Sequence, residues 1–324
     1  MPGSEAAKPA ILVAGGAGYI GAHACKALAA AGFLPVTLDN LSTGHRRAVK
    51  WGPLIEADIA DRAVVQKTVA DFGITGVLHF AACSIVPESV RDPLKYYDNN
   101  VTRALAFASA LIDGGVRCFV FSSTAAVYGI PTVSPIPEDH PARPVNPYGA
   151  SKLAFEGALP GLEAAHGLRH VVLRYFNAAG ADPAGEIGEA HEPETHLIPN
   201  MARAALGLGP ALTLYGTDYP TPDGTAVRDY IHVTDLAEAH VDALRHLLGG
   251  GASLTLNIGT GAGTSVAEIL ARGAEILGRP VPCQTAPRRP GDPPSLIADA
   301  SAIRRHFGWA PRHSDVDTIV RTAF

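Results

Sequence analysis

The stretch Ile11-Leu12-Val13-Ala14-Gly15-Gly16-Ala17-Gly18-Tyr19-Ile20-Gly21 decides the fold. Four apolar residues lead straight into a glycine cluster, and the cluster opens a helical pattern that continues to residue 31. An apolar strand with no polar face belongs in a parallel sheet covered on both sides. The three glycines spaced G-x-x-G-x-x-G have separate tasks. Gly15 makes the tight turn, Gly18 lets the backbone approach a pyrophosphate, and Gly21 lets the helix pack closely on the strand. The unpaired N–H groups at the helix start then face an anion.

Working outward, further short apolar runs lie at 35–38, 54–57, 77–81 and 118–122, separated by helical patterns at 19–31, 60–72 and 94–114. Another helix is expected from Pro147 to residue 166, followed by a sixth strand at 170–174. Strand–helix–strand repetition of this kind gives an α/β fold, a doubly wound parallel sheet of Rossmann type. After it the chain turns rich in Gly, Pro, Asp and Glu at 178–193 and again at 215–227, which marks long loops of the kind that form binding sites. Helices are expected at 233–248 and 265–277, with a strand between them ending at Asn257-Ile258-Gly259. The division expected is therefore a dinucleotide-binding domain over 1–178, with some later segments returning to it, and a smaller α/β ligand lobe over 179–324.

The second apolar run ends in Asp39, where a carboxylate can accept both ribose hydroxyls of an adenosine. A 2'-phosphate would meet its negative charge, so NAD is favoured over NADP, with Arg46 and Arg47 weighing only slightly the other way. Tyr148-Gly149-Ala150-Ser151-Lys152 places a phenol and an ammonium one helical turn apart on one face. A nearby cation, together with an oxidised nicotinamide, is expected to lower the phenol's pKa and make Tyr148 a general base; taken alone, such a pair is more often a surface Tyr and Lys on a helix. Ser122-Ser123-Thr124 ends the strand at 118–122 in three hydroxyls, at the sheet edge where open α/β folds bind ligands. A Ser/Thr cluster there also serves as an ordinary turn or helix cap.

Composition sets limits on partners. The 324 residues carry a formal net charge of -5, which argues against binding a nucleic acid by its phosphates while leaving local basic residues for one phosphorylated ligand. Residues 1–9 lack the apolar core of a secretion signal and no run is long enough to span a bilayer, so a cytoplasmic protein without a membrane partner is expected. Cys25, Cys83, Cys118 and Cys283 have no metal-ligand spacing and are expected to be reduced core thiols. The 13 histidines, His191 and His196 included, show no ligand set at a known spacing, so no metal is expected.

These residues resemble the extended short-chain dehydrogenase/reductase family over nearly the whole chain, and within it the group of UDP-glucose 4-epimerases. The segments that carry the likeness are GGAGYIG, LDNLSTG from Leu38, HFAA from His79, ESVRDPLKYYDNNV from Glu88, FSSTAAVYG from Phe121, NPYGASK from Asn146, LRYFNAAGA from Leu173 and YGTDYPTPDGTAVRDYIHVTDLA from Tyr215. The resemblance implies Thr124, Tyr148 and Lys152 as catalytic residues. It implies an NAD site of Gly15, Gly18, Tyr19, Ile20, Gly21, Asp39, Asn40, Ser42, Thr43, Gly44, Asp58, Ile59, Phe80, Ala81, Ala82, Asn99, Ser122, Tyr148, Lys152 and Tyr175. It implies that a UDP-sugar is held by Thr124, Tyr148, Phe176, Asn177, His196, Leu197, Leu214, Tyr215, Arg228, Tyr230, Arg289 and Asp292, in a nucleotide-sugar-binding lobe. A homodimer through the helices at 94–114 and 147–166 is implied as well. Outside this context Arg228 beside Asp229, and Arg288 beside Arg289, would read as surface charges.

The expected reaction is 4-epimerisation through a transient 4-keto sugar. The rival readings are a nucleotide-sugar 4,6-dehydratase, a plain NAD-dependent reductase and an NAD-bound regulatory protein. Dehydratases usually carry an Asp-Glu pair where Ala125-Ala126 follow Thr124 here. The sequence departs from the usual epimerase pattern at Ser84, where many members have lysine, at Pro87, a common glycine, and at Leu296, where some have a tyrosine that restricts the sugar pocket. A smaller residue at 296 opens the choice of substrate to UDP-GlcNAc or a pentose such as UDP-xylose. The sequence also ends at Phe324, earlier than members with a further terminal helix.

Overall fold

Seven parallel strands form the central sheet in the spatial order β11-β6-β5-β4-β1-β2-β3 in this computed structural model, which describes residues 8–289 and 291–324. In chain order these are β1 (Ala10–Ala14), β2 (Leu34–Asp39), β3 (Leu54–Glu56), β4 (Gly76–His79), β5 (Cys118–Thr124) and β6 (Arg169–Tyr175), with β11 (Leu254–Ile258) added at the edge beside β6. The crossovers are α1 (Tyr19–Ala30), α2 (Arg62–Phe72), a broken run of α3 (Val86–Arg91), α4 (Pro93–Tyr97) and α5 (Ala104–Asp113), and the long α6 (Pro147–His166).

The central strands β1, β4 and β5 are buried along their whole length, covered on both faces, which is why their sequences show apolar runs rather than alternation. Along β1, Ile11 and Val13 pack with Leu28 of α1 and with Leu236 and Leu244 of a later helix on one face. Leu12 and Ala14 point the other way, into a core shared with Val65, Phe107, Phe155 and Leu159 of α2, α5 and α6. The expected helix at 94–114 differs from what is observed: between α4 and α5 the backbone widens into a π-helical turn at Asp98–Arg103. Such single-turn widenings re-aim side chains near sites. Here Asn100 is turned inward, accepting from the Cys83 N–H at 2.8 Å and donating to the Ser151 hydroxyl at 3.0 Å.

Past β6, short pairings replace the long sheet. β7 (Asn177–Ala179) leads through a long loop to α7 (Leu197–Ala205) and β8 (Leu212–Tyr215), and a second loop reaches β9 (Val227–Arg228) and β10 (Tyr230–His232). α8 (Val233–Leu248) and β11 then return to the first lobe, α8 lying against α1 and β11 pairing with β6. The chain goes back through β12 (Thr264–Ser265), α9 (Val266–Leu277), β13 (Cys283–Ala286), β14 (Ser295–Leu296), α10 (Ser301–Phe307) and α11 (Val316–Ala323). α7, α9 and α11 close a small core of Ile198, Met201, Ile269, Ile319 and Val320. Asp229, between β9 and β10, is buried and binds this region together, accepting from the N–H groups of Thr260, Gly261 and Ala298 at 2.8, 3.0 and 3.1 Å. Among the described residues no helix is long and apolar enough to cross a membrane. The cysteines divide: Cys25 and Cys118 are buried as expected, whereas Cys83 is half-buried and Cys283 lies exposed on the short β13, which contributes to no core.

Candidate active site

A cavity of about 490 Å³ opens at the carboxyl ends of β1, β4 and β5. Its floor is the glycine turn. Gly15 sits at φ +81°, and a Cβ on it would lie 2.6 Å from the Ala81 nitrogen; a Cβ on Gly21 would lie 2.1 Å from the Gly15 carbonyl oxygen. Backbone thus approaches backbone where side chains do not fit. No side chain caps α1 and its first turn carries no acidic residue, so its leading N–H groups are left for a ligand anion. Asp39 braces this turn from β2, accepting from the Ala17 and Leu41 N–H groups at 3.0 and 2.8 Å. Burial raises its pKa and these two bonds pull it back. Arg46 is engaged by Glu56, so it adds no free cation for a 2'-phosphate. A dinucleotide of NAD type therefore fits the floor.

The opposite wall comes from β5 and α6. Asn146 caps α6 through the Gly149 N–H at 2.8 Å, and Pro147 takes the first turn, where its missing N–H costs nothing. A Cβ on Gly149 would fall 2.4 Å from the Ala126 oxygen, so glycine lets α6 close on the turn after β5 and brings Tyr148 to Thr124. The Thr124 hydroxyl accepts from Ala126 N–H at 3.1 Å and lines the cavity beside the Tyr148 phenol, whose pKa it lowers. Ser151 steadies the same residue from within the helix, donating to the Tyr148 carbonyl at 2.8 Å.

The electrostatics depart from the sequence expectation. Burial pushes the Tyr148 phenol well above its ordinary pKa, Tyr175 adds to this, and Thr124 works against it. Lys152 does not supply the offset, because its ammonium is committed to the Ser122 carbonyl at 2.9 Å and lies over the Phe121 ring. Burial lowers Lys152 to about 8, opposed by Glu156 and Cys83. Below it His79 is held neutral, burial and then Lys152 bringing its pKa to about 3. The site is thus short of positive charge next to the phenol, a deficit that an oxidised nicotinamide would fill.

The cavity gathers Gly15, Gly18, Tyr19, Ile20, Gly21, Asp39, Asn40, Ser42, Thr43, Gly44, Asp58, Ile59, Phe80, Ala81, Ala82, Asn99, Thr124, Tyr148, Lys152, Tyr175, Phe176, Asn177 and His196. Ser122 is buried behind it, its hydroxyl donating to the Tyr175 phenol at 3.0 Å. Leu197, Leu214, Tyr215, Arg228, Tyr230, Arg289 and Asp292 lie outside its lining. There Arg228 pairs with Asp292 at 2.5 Å, not with its neighbour Asp229, and the Arg289 guanidinium stacks 4.0 Å from the Tyr215 ring centroid. Arg288 pairs with Asp218 at 2.7 Å. The lining also includes residues that sequence reasoning missed, among them Cys83, Ile85, Glu88, Lys95 and Pro193. Ser84 lines it as well, and the cation nearby is Lys95, held by Glu88 at 2.6 Å. His191 and His196, discounted as ligands on spacing, meet with ring centroids 5.3 Å apart. Burial would lower the pKa of His196, but bonds to Glu189 and Glu194 prevail and raise it to about 10.

Known proteins share this arrangement. A curated UDP-glucose 4-epimerase of Azospirillum brasilense is 52% identical over 324 residues, 100% of this chain and 93% of that protein. The crystal structure of UDP-glucose 4-epimerase from Brucella ovis in complex with NAD superposes with a TM-score of 0.96 at 50% identity, covering 97% of each chain. A UDP-glucose 4-epimerase structure from Stenotrophomonas maltophila, with bound NAD and formylated UDP-arabinopyranose, gives 0.94 at 41% identity over 97% of this chain and 96% of that one. Residues 11–259 match the model of the NAD dependent epimerase/dehydratase family, and with these relatives at such identity and coverage the chain belongs to that family.

Proposed function

We propose that this chain is an isomerase, an NAD-dependent UDP-sugar 4-epimerase, with UDP-glucose and UDP-galactose as its pair. One observation carries the reading: the Thr124 hydroxyl and the Tyr148 phenol line the same cavity as an uncapped glycine turn. NAD, when bound, supplies a hydride acceptor and donor for carbon 4 of the sugar. Thr124 holds the 4-hydroxyl and Tyr148 takes its proton, later returning it to the 4-keto oxygen. Lys152, through the Ser122 carbonyl, ties α6 to β5 and so holds Tyr148 in place. Arg228, Arg289 and Asp292, with Leu197, Leu214, Tyr215 and Tyr230, hold the uridine diphosphate from the second lobe. The planar forks of arginine suit a diphosphate. The sugar then turns over while its anchor stays fixed, and no net redox change results.

A second substrate class is supported by Leu296, which packs on the same cluster of Ala125, Val127, Tyr128 and Ile136 as Phe176 of the cavity wall. A leucine here leaves room for an N-acetyl group. No carboxylate follows Thr124, which disfavours a dehydratase. We place residues 1–178 with α8 and β11 as the NAD lobe and most of the remainder as the nucleotide-sugar lobe. The protein acts as a cytoplasmic homodimer, with single, unbridged cysteines among the described residues and an apolar strip of Val90, Leu94, Tyr97 and Leu105 as support.

The test is to incubate the purified protein separately with UDP-glucose, UDP-GlcNAc and UDP-xylose, and to separate the products. Conversion of UDP-glucose to its 4-epimer, lost by roughly 10²-fold or more in Tyr148→Phe while bound NAD is retained, is the expected result. Conversion of none of the three, or full activity in that variant, defeats the proposal.

A further inference from the structure

The long loop between β7 and α7 brings two glutamates and two histidines to a single point. Glu189, His191, Glu194 and His196 each offer one donor atom, and the four atoms lie within 4.8 Å of one another. The separations are those of a small polyhedron. His196 Nδ1 is 2.5 Å from a Glu189 carboxylate oxygen and 3.3 Å from one of Glu194; His191 Nδ1 is 3.0 Å from Glu189 and 3.9 Å from Glu194. A tetrahedral ion with arms of about 2.0–2.1 Å has edges of about 3.4 Å, in the middle of that range.

We propose that Glu189, His191, Glu194 and His196 bind one divalent transition-metal cation of the zinc class. Charge balance supports it. The Glu189 and Glu194 side chains are only 6% and 4% exposed, and they share the site with two imidazoles that reach towards solvent, His191 at 33% and His196 at 51%. Metal binding requires both rings neutral, so His196 gives up the proton it shares with Glu189 and Glu194, which leaves the two carboxylates with two negative charges. One M²⁺ neutralises them. Two imidazole nitrogens with two carboxylate oxygens suit zinc and its neighbours, and exclude magnesium or calcium, which prefer all-oxygen shells.

The surroundings already hold the ligands in place. Glu194 accepts from the N–H groups of Thr195 and His196 at 2.7 and 2.9 Å, both on Oε1, so its carboxylate is aimed before any ion arrives and Oε2 stays free. The Tyr19 ring meets His191 edge-on at 6.2 Å, and His45 bonds the Ala190 carbonyl at 2.7 Å, tying the loop to the first lobe. Four protein ligands leave no open position, so the ion acts as a structural clamp. Because His191 and His196 also line the main cavity, the clamp fixes the mouth through which a ligand enters.

The test uses the full chain with its native cofactor, treated with a chelator, exchanged into metal-free buffer and titrated with zinc chloride by calorimetry. One zinc per chain, with affinity reduced at least tenfold in His191→Ala and in Glu194→Gln, is expected. Zinc should raise the unfolding temperature of the parent protein and leave that of either variant unchanged, while magnesium does neither. The absence of stoichiometric zinc, or binding undiminished in both variants, overturns the site. Circular dichroism confirms that the variants are folded, and Glu189→Gln substitutes for either that is not.

Discussion

Tyr148 and Lys152 share one face of α6, and burial acts on them in opposite directions, raising the acid's pKa and lowering the base's. Both shifts disfavour charge in the absence of a partner. Lys152 is therefore a destabilising residue retained for function. Its folded pKa of about 8 lies below its ordinary 10.5, so the unfolded chain binds the proton more tightly. The penalty for burying the ammonium is fully present below pH 8 and fades as the pH rises towards 10.5. Lys152→Met should then stabilise the cofactor-free protein by on the order of 1–3 kcal/mol at pH 7. The gain should shrink towards zero at alkaline pH, and activity should fall throughout. Chemical denaturation of both proteins across that pH range measures it, and a gain that grows with pH would reverse the sign of the argument. The motif Tyr148 to Lys152 was legible because its spacing is a helical turn. The commitment of Lys152 to Ser122 was not, since that depends on how closely Gly149 lets α6 approach β5.

Among the elements, the β1–turn–α1 unit has the least freedom to change. A methyl on Gly21 would meet the Gly15 carbonyl at 2.1 Å, and that partner is backbone, which cannot rotate aside. Gly21→Ala should cost about 2–4 kcal/mol of stability and abolish bound NAD. Release of cofactor from the denatured protein, read by absorbance, together with a denaturant midpoint, tests both parts; a variant that keeps stoichiometric NAD contradicts the close-packing account. This unit and its sister strands were legible because a sheet covered on two faces writes apolar runs into the sequence. Elements of two or three residues, such as β9, β12 and β14, carry no period of their own and arise only from the contacts around Asp229. The break between α4 and α5 escaped notice for a similar reason. The sequence at Asp98–Arg103 holds mostly weak helix formers but no Pro or Gly to mark a break, and what widens the turn is the demand for Asn100 at Cys83 and Ser151.

At the scale of the whole molecule, the first lobe's share of the cavity was legible, whereas of the second lobe's loop the sequence marked the binding character and His196 but not the convergence of Glu189, His191 and Glu194. Glu189 to His196 has neither strand nor helix period, and its convergence depends on where β7 and α7 are anchored. The same view explains the assembly proposed above. Leu94 is 80% exposed, Val90 63%, Tyr97 41% and Leu105 37%, on the three consecutive helices that flank the π turn. Large apolar side chains left to water on consecutive helices mark an interaction surface. Because a twofold interface places the same patch on both partners, this strip can bury itself against a second copy. Its position also couples assembly to the site: α4 packs on α6, and the adjoining Asn100 holds the Ser151 hydroxyl that in turn bonds the Tyr148 carbonyl. Leu94→Glu puts a charge at the exposed centre of the strip without touching the core. It should convert the dimer to monomer in sedimentation at micromolar concentration, and lower turnover by loosening α4 against α6 while NAD stays bound. A parent protein that sediments as a monomer, or a variant that remains fully dimeric, would remove this strip as the interface.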